Sequence, residues 1–171
     1  MDGKRANQLS EQRRSIIWAH GSGLFTVTPT TNVTRLETAA SVTPAASTFL
    51  HHPHFVQITV ATPALLDNHH LNIVKAFLRF RTGDDAQITQ IRLYDAELQF
   101  AVFYGPLKNY VFKDIALTLK HPHRVVHGIL FSIEVCFYGP GQNWVEISCA
   151  GVEILSDGLA SHPSADEEVA E

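Results

Sequence analysis

The stretch Ile129-Leu130-Phe131-Ser132-Ile133-Glu134-Val135-Cys136-Phe137 decides the fold class. Every odd position is large and apolar, while Ser132 and Glu134 interrupt the even ones. A period of two is the signature of a half-buried strand, not of a helix. Downstream, Val145, Ile147 and Cys149 alternate with Glu146, Ser148 and Ala150. Upstream, Ile115, Leu117 and Leu119 repeat the pattern, as do Leu98 to Tyr104, Ile88 to Tyr94 and Phe55 to Ala61. Leu71 to Thr82 reads as a long strand, with Val74, Ala76, Leu78 and Phe80 on one expected face and Lys75, Phe77, Arg79 and Arg81 on the other. Ile16 to Trp18 and Leu24 to Thr28 read as a hairpin around His20-Gly21-Ser22-Gly23, with glycine supplying a positive φ. The Thr-rich stretch 26–48 offers one irregular strand or a surface crossover.

These segments make eight or nine strands and no amphipathic helix. Strands buried on one side need a second apolar layer, and only another sheet can supply it. The expected fold is therefore all-β: an antiparallel β-sandwich, jelly-roll-like, with a closed β-barrel as the alternative.

The 171 residues are 45% hydrophobic and 18% charged, with a formal net charge of −4. This fits one core-bearing domain at 15–155, between a polar basic arm at 1–14 and an acidic tail at 156–171. It excludes a disordered chain, a disulfide scaffold and a strongly basic nucleic-acid binder. The basic-aromatic face of Lys75, Phe77, Arg79 and Arg81 reads as solvated surface. Neither an apolar leader nor a membrane-length apolar run is visible, so a cytoplasmic protein is expected, with Cys136 and Cys149 as free thiols. No cofactor is implied. The expected partner is a small molecule or a protein, and exposed strand edges make a homodimer an expectation.

Ile17-Trp18-Ala19-His20-Gly21, Ala61-Thr62-Pro63, Phe77 to Thr82, Ile88 to Ile91 with Tyr94-Asp95, and Gly128-Ile129 leading into Ser132 to Val135 form an ordered set. This set resembles a microbial family of small all-β domains of unknown function, over about residues 16–138. The resemblance implies the all-β fold and transfers no activity. The Thr/Ala-rich insert and His51-His52-Pro53-His54 depart from it.

Ten histidines stand out. They cluster in segments with proline or turn character, which reads as histidine-rich loops titrating near neutrality. A metal site would draw on His52, His54, His121 and His123, each pair being His-x-His. Proline inside both pairs and the lack of a following Glu weaken a cupin-like reading. Acid–base chemistry would draw on Asp95, His127 and Glu134, as in a cofactor-independent cyclase or isomerase with an apolar pocket. A stacking ligand would draw on Trp18, Tyr104, Tyr138 and Trp144. One of the two tryptophans is expected in the core. Phe103-Tyr104-Gly105-Pro106 recurs as Phe137-Tyr138-Gly139-Pro140, read as two strand-end turns at one edge of the sandwich. The leading expectation is a binding or interaction module whose ligand, a carbohydrate or another small molecule, meets a loop rim at 51–54, 104–106 and 138–144.

Overall fold

The computed structural model describes residues 14–66 and 69–156. The expected basic arm and acidic tail lie outside the described residues, apart from Arg14 and Ser156. Among the described residues the strands are β1 (Arg14–His20), β2 (Phe25–Thr26), β3 (Thr31–Arg35), β4 (Ala40–Pro44), β5 (Pro53–Val60), β6 (Leu65–Leu66), β7 (His69–Thr82), β8 (Ala86–Asp95), β9 (Leu98–Leu107), β10 (Lys113–Arg124), β11 (Ile129–Phe137) and β12 (Val145–Ser156). All pairings are antiparallel.

Two sheets result, and neither closes into a barrel. One runs β10-β7-β12-β4-β3, with β1 added on β12 and β6 on β7; the other runs β2-β5-β11-β8-β9. Eight of these strands fill two quartets, β4-β12-β7-β10 and β5-β11-β8-β9. That order is the jelly roll, in which successive strands cross between sheets except at the β8–β9 hairpin. The inner faces interdigitate through Ile73, Leu78, Phe80, Ile147 and Val152 on one side and Ile58, Ile91, Leu93, Phe131 and Ile133 on the other, all fully buried. Burial of alternate residues on both sheets is what the period-two pattern demands.

Three local expectations are corrected. The first hairpin does not form: β1 pairs with β12, whereas β2 pairs with β5 in the other sheet. Its turn docks against β12 instead. Gly21 is buried there, and a Cβ on it would lie 2.0 Å from the Ile147 carbonyl oxygen. The glycine is needed for close approach, not for a positive φ, which no glycine among the described residues adopts. The Thr-rich stretch forms a regular hairpin, β3 with β4, from Thr31↔Pro44 to Arg35↔Ala40. Val74 leaves the core face. The register between β7 and β12 shifts between Glu153 and Ile154, so the buried set passes from Leu71 and Ile73 to Ala76, Leu78 and Phe80. An irregularity of this kind turns a strand's faces over, because its side-chain period is two.

The cations Lys75, Arg79 and Arg81 on the outer face of the seven-stranded sheet are paired with Glu153, Asp114 and Glu146 respectively.

Candidate ligand-binding face

Residues directly opposite in antiparallel strands share a face. The outer side of the five-stranded sheet therefore carries ordered rows across its strands. Phe55 stands opposite Glu134, Glu134 opposite Gln90, and Gln90 opposite Tyr104. The next row is Gln57, Ser132, Arg92 and Val102, with Phe25 beside Gln57 at the edge. A row of four strands spans about 14 Å.

The side chains on this face are coupled. Thr89 Oγ1 donates to Glu134 Oε1 at 2.7 Å. The Arg92 guanidinium lies 3.7 Å from Glu134 Oε2, and its central carbon sits 5.5 Å above the Phe55 ring. Gln87 Nε2 donates to the Tyr138 hydroxyl, and Tyr94 donates to Gln99 Oε1 at 3.0 Å. Gln90 Oε1 is buried with no hydrogen-bond partner among the described residues. Buried acceptors are rarely left without a donor. Burial pushes the Tyr138 hydroxyl above its ordinary range, with the Cys136 thiol and Glu134 adding to the rise. It stays a neutral donor and acceptor at physiological pH.

The four aromatic ligand candidates divide between two surfaces. Tyr104 and Tyr138 lie on this face, 76% and 42% exposed, towards the same end of the sheet. The His51 ring packs edge-on to Tyr138 at 5.9 Å, and His51 N–H donates to the Phe137 carbonyl. The segments 51–54 and 138–144 are thus neighbours. The repeated Phe-Tyr-Gly-Pro differs from its expected form in one copy: Gly105 and Pro106 run inside β9, while Gly139 and Pro140 do follow β11.

Trp18 lies in β1 of the other sheet and Trp144 immediately before its β12, and neither is in the core. Trp18 lies over Gly151, where a Cβ would meet its ring at 2.5 Å, and beside Phe77 at 5.6 Å. Trp144 packs against the Arg81 guanidinium, which also lies over Phe112.

The structure brings Asp95 and His127 together and leaves Glu134 apart. Asp95 stands opposite Ile129, five residues from Glu134 along β11, or about 17 Å. The Asp95 carboxylate is buried and accepts from the backbone N–H groups of Val126, His127 and Gly128 at 2.7, 2.8 and 3.2 Å. His123 Nε2 adds a contact at 3.1 Å. Burial raises its pKa, but these bonds outweigh burial and hold the carboxyl below the ordinary aspartate value. Both oxygens are spent on closing the 124–128 turn.

The four candidate metal ligands do not assemble into a site among the described residues. His54 is in the five-stranded sheet and His123 in the seven-stranded one. No group of three or more His, Cys, Asp or Glu suited to a metal occurs among the described residues. His54 is fully buried, not a loop residue. Its Nε2–H donates to the Phe49 carbonyl at 3.0 Å, so its Nδ1 accepts from the Thr31 hydroxyl at 2.7 Å. This ring ties β3 and the 47–51 turn to β5. His69, His70, His121 and His123 likewise lie within strands. Their strands extend past the alternating apolar run, which is why they looked like loops.

Cys136 and Cys149 are free thiols on different sheets. Burial pushes both thiols up, with Glu134 raising Cys136 further and Asp114 raising Cys149. Only a thiolate attacks an electrophile readily. In the folded protein at pH 7, alkylation by iodoacetamide should be at least ~10-fold slower than for free cysteine. Mass spectrometry of a time course checks this; a rate equal to free cysteine would show that the thiols are not held within the sheets as described.

No family model and no curated protein matches the chain, so of the resemblance to a microbial family only the all-β fold is supported. Among solved structures, the chain is similar to a low-affinity xylan-binding module, CBM86, from the gut symbiont Roseburia intestinalis. The TM-score is 0.52 at 9% identity, covering 83% of this chain and 96% of that one. Looser matches are a family 29 carbohydrate-binding module from Piromyces equi (TM-score 0.41, 11% identity, 89% and 95% covered), and the CBM36-1 domain of a multidomain xylanase from the hindgut metagenome of Trinervitermes trinervoides (TM-score 0.42, 11% identity, 86% and 100% covered). The first of these shows a shared β-sandwich fold. No helix among the described residues is long and apolar enough to cross a membrane.

Proposed function

We propose that the protein is a carbohydrate-binding module that holds a glycan chain on the outer face of its five-stranded sheet. The observation that carries this reading is the row Phe55, Glu134, Gln90 and Tyr104, which sets aromatic rings and hydrogen-bonding groups in line across four strands. Aromatic rings offer flat apolar surface to the C–H faces of a sugar. Glu134, Arg92 and the glutamine amides offer acceptors and donors for neighbouring hydroxyls, and the guanidinium can bond two at once. The fold shared with a xylan-binding module supports a xylose-based polymer as the first ligand to try.

Titration calorimetry with xylohexaose and cellohexaose tests the reading. Tyr104→Ala and Arg92→Ala should each weaken the bound oligosaccharide by ~10-fold, about 1.4 kcal/mol, and the exposed Tyr104→Ala should do so without changing the melting temperature. Binding that survives the double variant unchanged, or no binding across a glycan array, would overturn it.

A further inference from the structure

The two sheets part along one side. β9 ends the five-stranded sheet and β10 ends the seven-stranded one. Between them lies a cleft of about 440 Å³, walled by residues 100–103 and 118–121. Its size is that of a small-molecule site. Phe103 and Leu119 pack partly buried against the core, so the floor opens onto the sandwich interior.

The walls are held in two ways. The Phe100 ring stacks on His123 at 3.9 Å and 7°, and His123 bonds the pinned Asp95 carboxylate. On the other side, Thr118 stands opposite Lys75 and His123 opposite Ile73. Residues 119–122 therefore face Val74 alone and bow out of the sheet. The bowed stretch contributes Leu119 to the cleft and sets Lys120 and His121 on its rim. No carboxylate lines the cleft. Apolar depth with a cationic rim is complementary to a molecule that is apolar at one end and anionic at the other.

We propose that this cleft is a second binding site, taking an amphipathic organic acid whose hydrocarbon part enters between the sheets and whose carboxylate meets Lys120 and His121. The cleft adjoins the outer face at Val102, takes a different class of ligand and does not depend on the glycan reading.

Amide-proton NMR of the full chain at pH 7, titrated with octanoate and with 1-octanol, tests it. Octanoate should saturate one site, with shifts concentrated at 100–103 and 118–121, and bind at least ~5-fold more tightly than the alcohol. Lys120→Ala, an exposed change that leaves the fold intact, should narrow the gap between octanoate and the alcohol, and Lys120→Ala combined with His121→Ala should close it. Lys120→Glu should weaken octanoate further than Lys120→Ala does. Shifts without saturation, saturation elsewhere, equal affinities for the two compounds, or octanoate binding unchanged in Lys120→Ala would each overturn the proposal. Xylohexaose affinity measured with octanoate present should stay constant, so failure of either site is read independently.

Discussion

Phe131→Ala should lower the unfolding free energy by about 3–5 kcal/mol. Phe131 is among the largest fully buried side chains. It stands between Ile58 on β5 and Leu93 on β8, at the middle of the inner face of its sheet. Its removal takes aromatic surface from the core and leaves a void that two hydrogen-bonded sheets cannot collapse around. Urea unfolding followed by fluorescence measures the change, and the slope should stay constant. Tyr104→Ala serves as the control, since an exposed side chain should cost no more than about 0.5 kcal/mol. A Phe131 loss as small as the control's would show that the two sheets do not pack there.

Asp95→Ala should cost about 3 kcal/mol, since truncating one partner of a buried, charged hydrogen-bond network strands the rest. Three backbone N–H groups and the His123 ring lose their acceptor together. Asp95→Asn, keeping one acceptor oxygen, should fall between. The acid limb of stability separates the charge from the shape. The folded carboxyl has a lower pKa than the unfolded one. Its contribution is therefore complete above the unfolded value of about 3.9 and is lost as pH falls through the folded value. Wild-type stability should drop below about pH 4, and Asp95→Asn should show a shallower fall over that range. Identical acid limbs would mean that the carboxylate's charge does not contribute.

The strand spans and the jelly-roll class were legible because apolar residues alternate over most of the chain. Where alternation is weak, the reading failed. Threonine and serine suit either face, so β3 and β4 carried no visible register. One irregularity at Val74 changed which residues of a long strand point inward. The turn at Gly21 looked like a hairpin because its close approach to Ile147 depends on a strand more than a hundred residues away. The candidate face was hidden for the same reason. Phe55, Glu134, Gln90 and Tyr104 come from four strands, and only their pairing places them in line. Asp95 was visible as an acidic residue at a strand end, yet its three backbone partners lie across the β9–β10 excursion. His54 looked like loop because Pro53 precedes it, whereas proline at the first residue of a strand is well tolerated.

Arg14, where β1 starts, stands opposite Leu155, one residue before β12 finishes. Antiparallel partners have Cα atoms about 5 Å apart. The first and last of the described strands thus meet at one corner, on the sheet away from the Phe55–Tyr104 row. A unit with that geometry can be spliced into a surface turn of a host protein, because the host backbone need open by little more than one strand spacing. The same proximity makes it a candidate for circular permutation, with a short bridge joining the end of β12 to the start of β1 and a new break at an exposed turn.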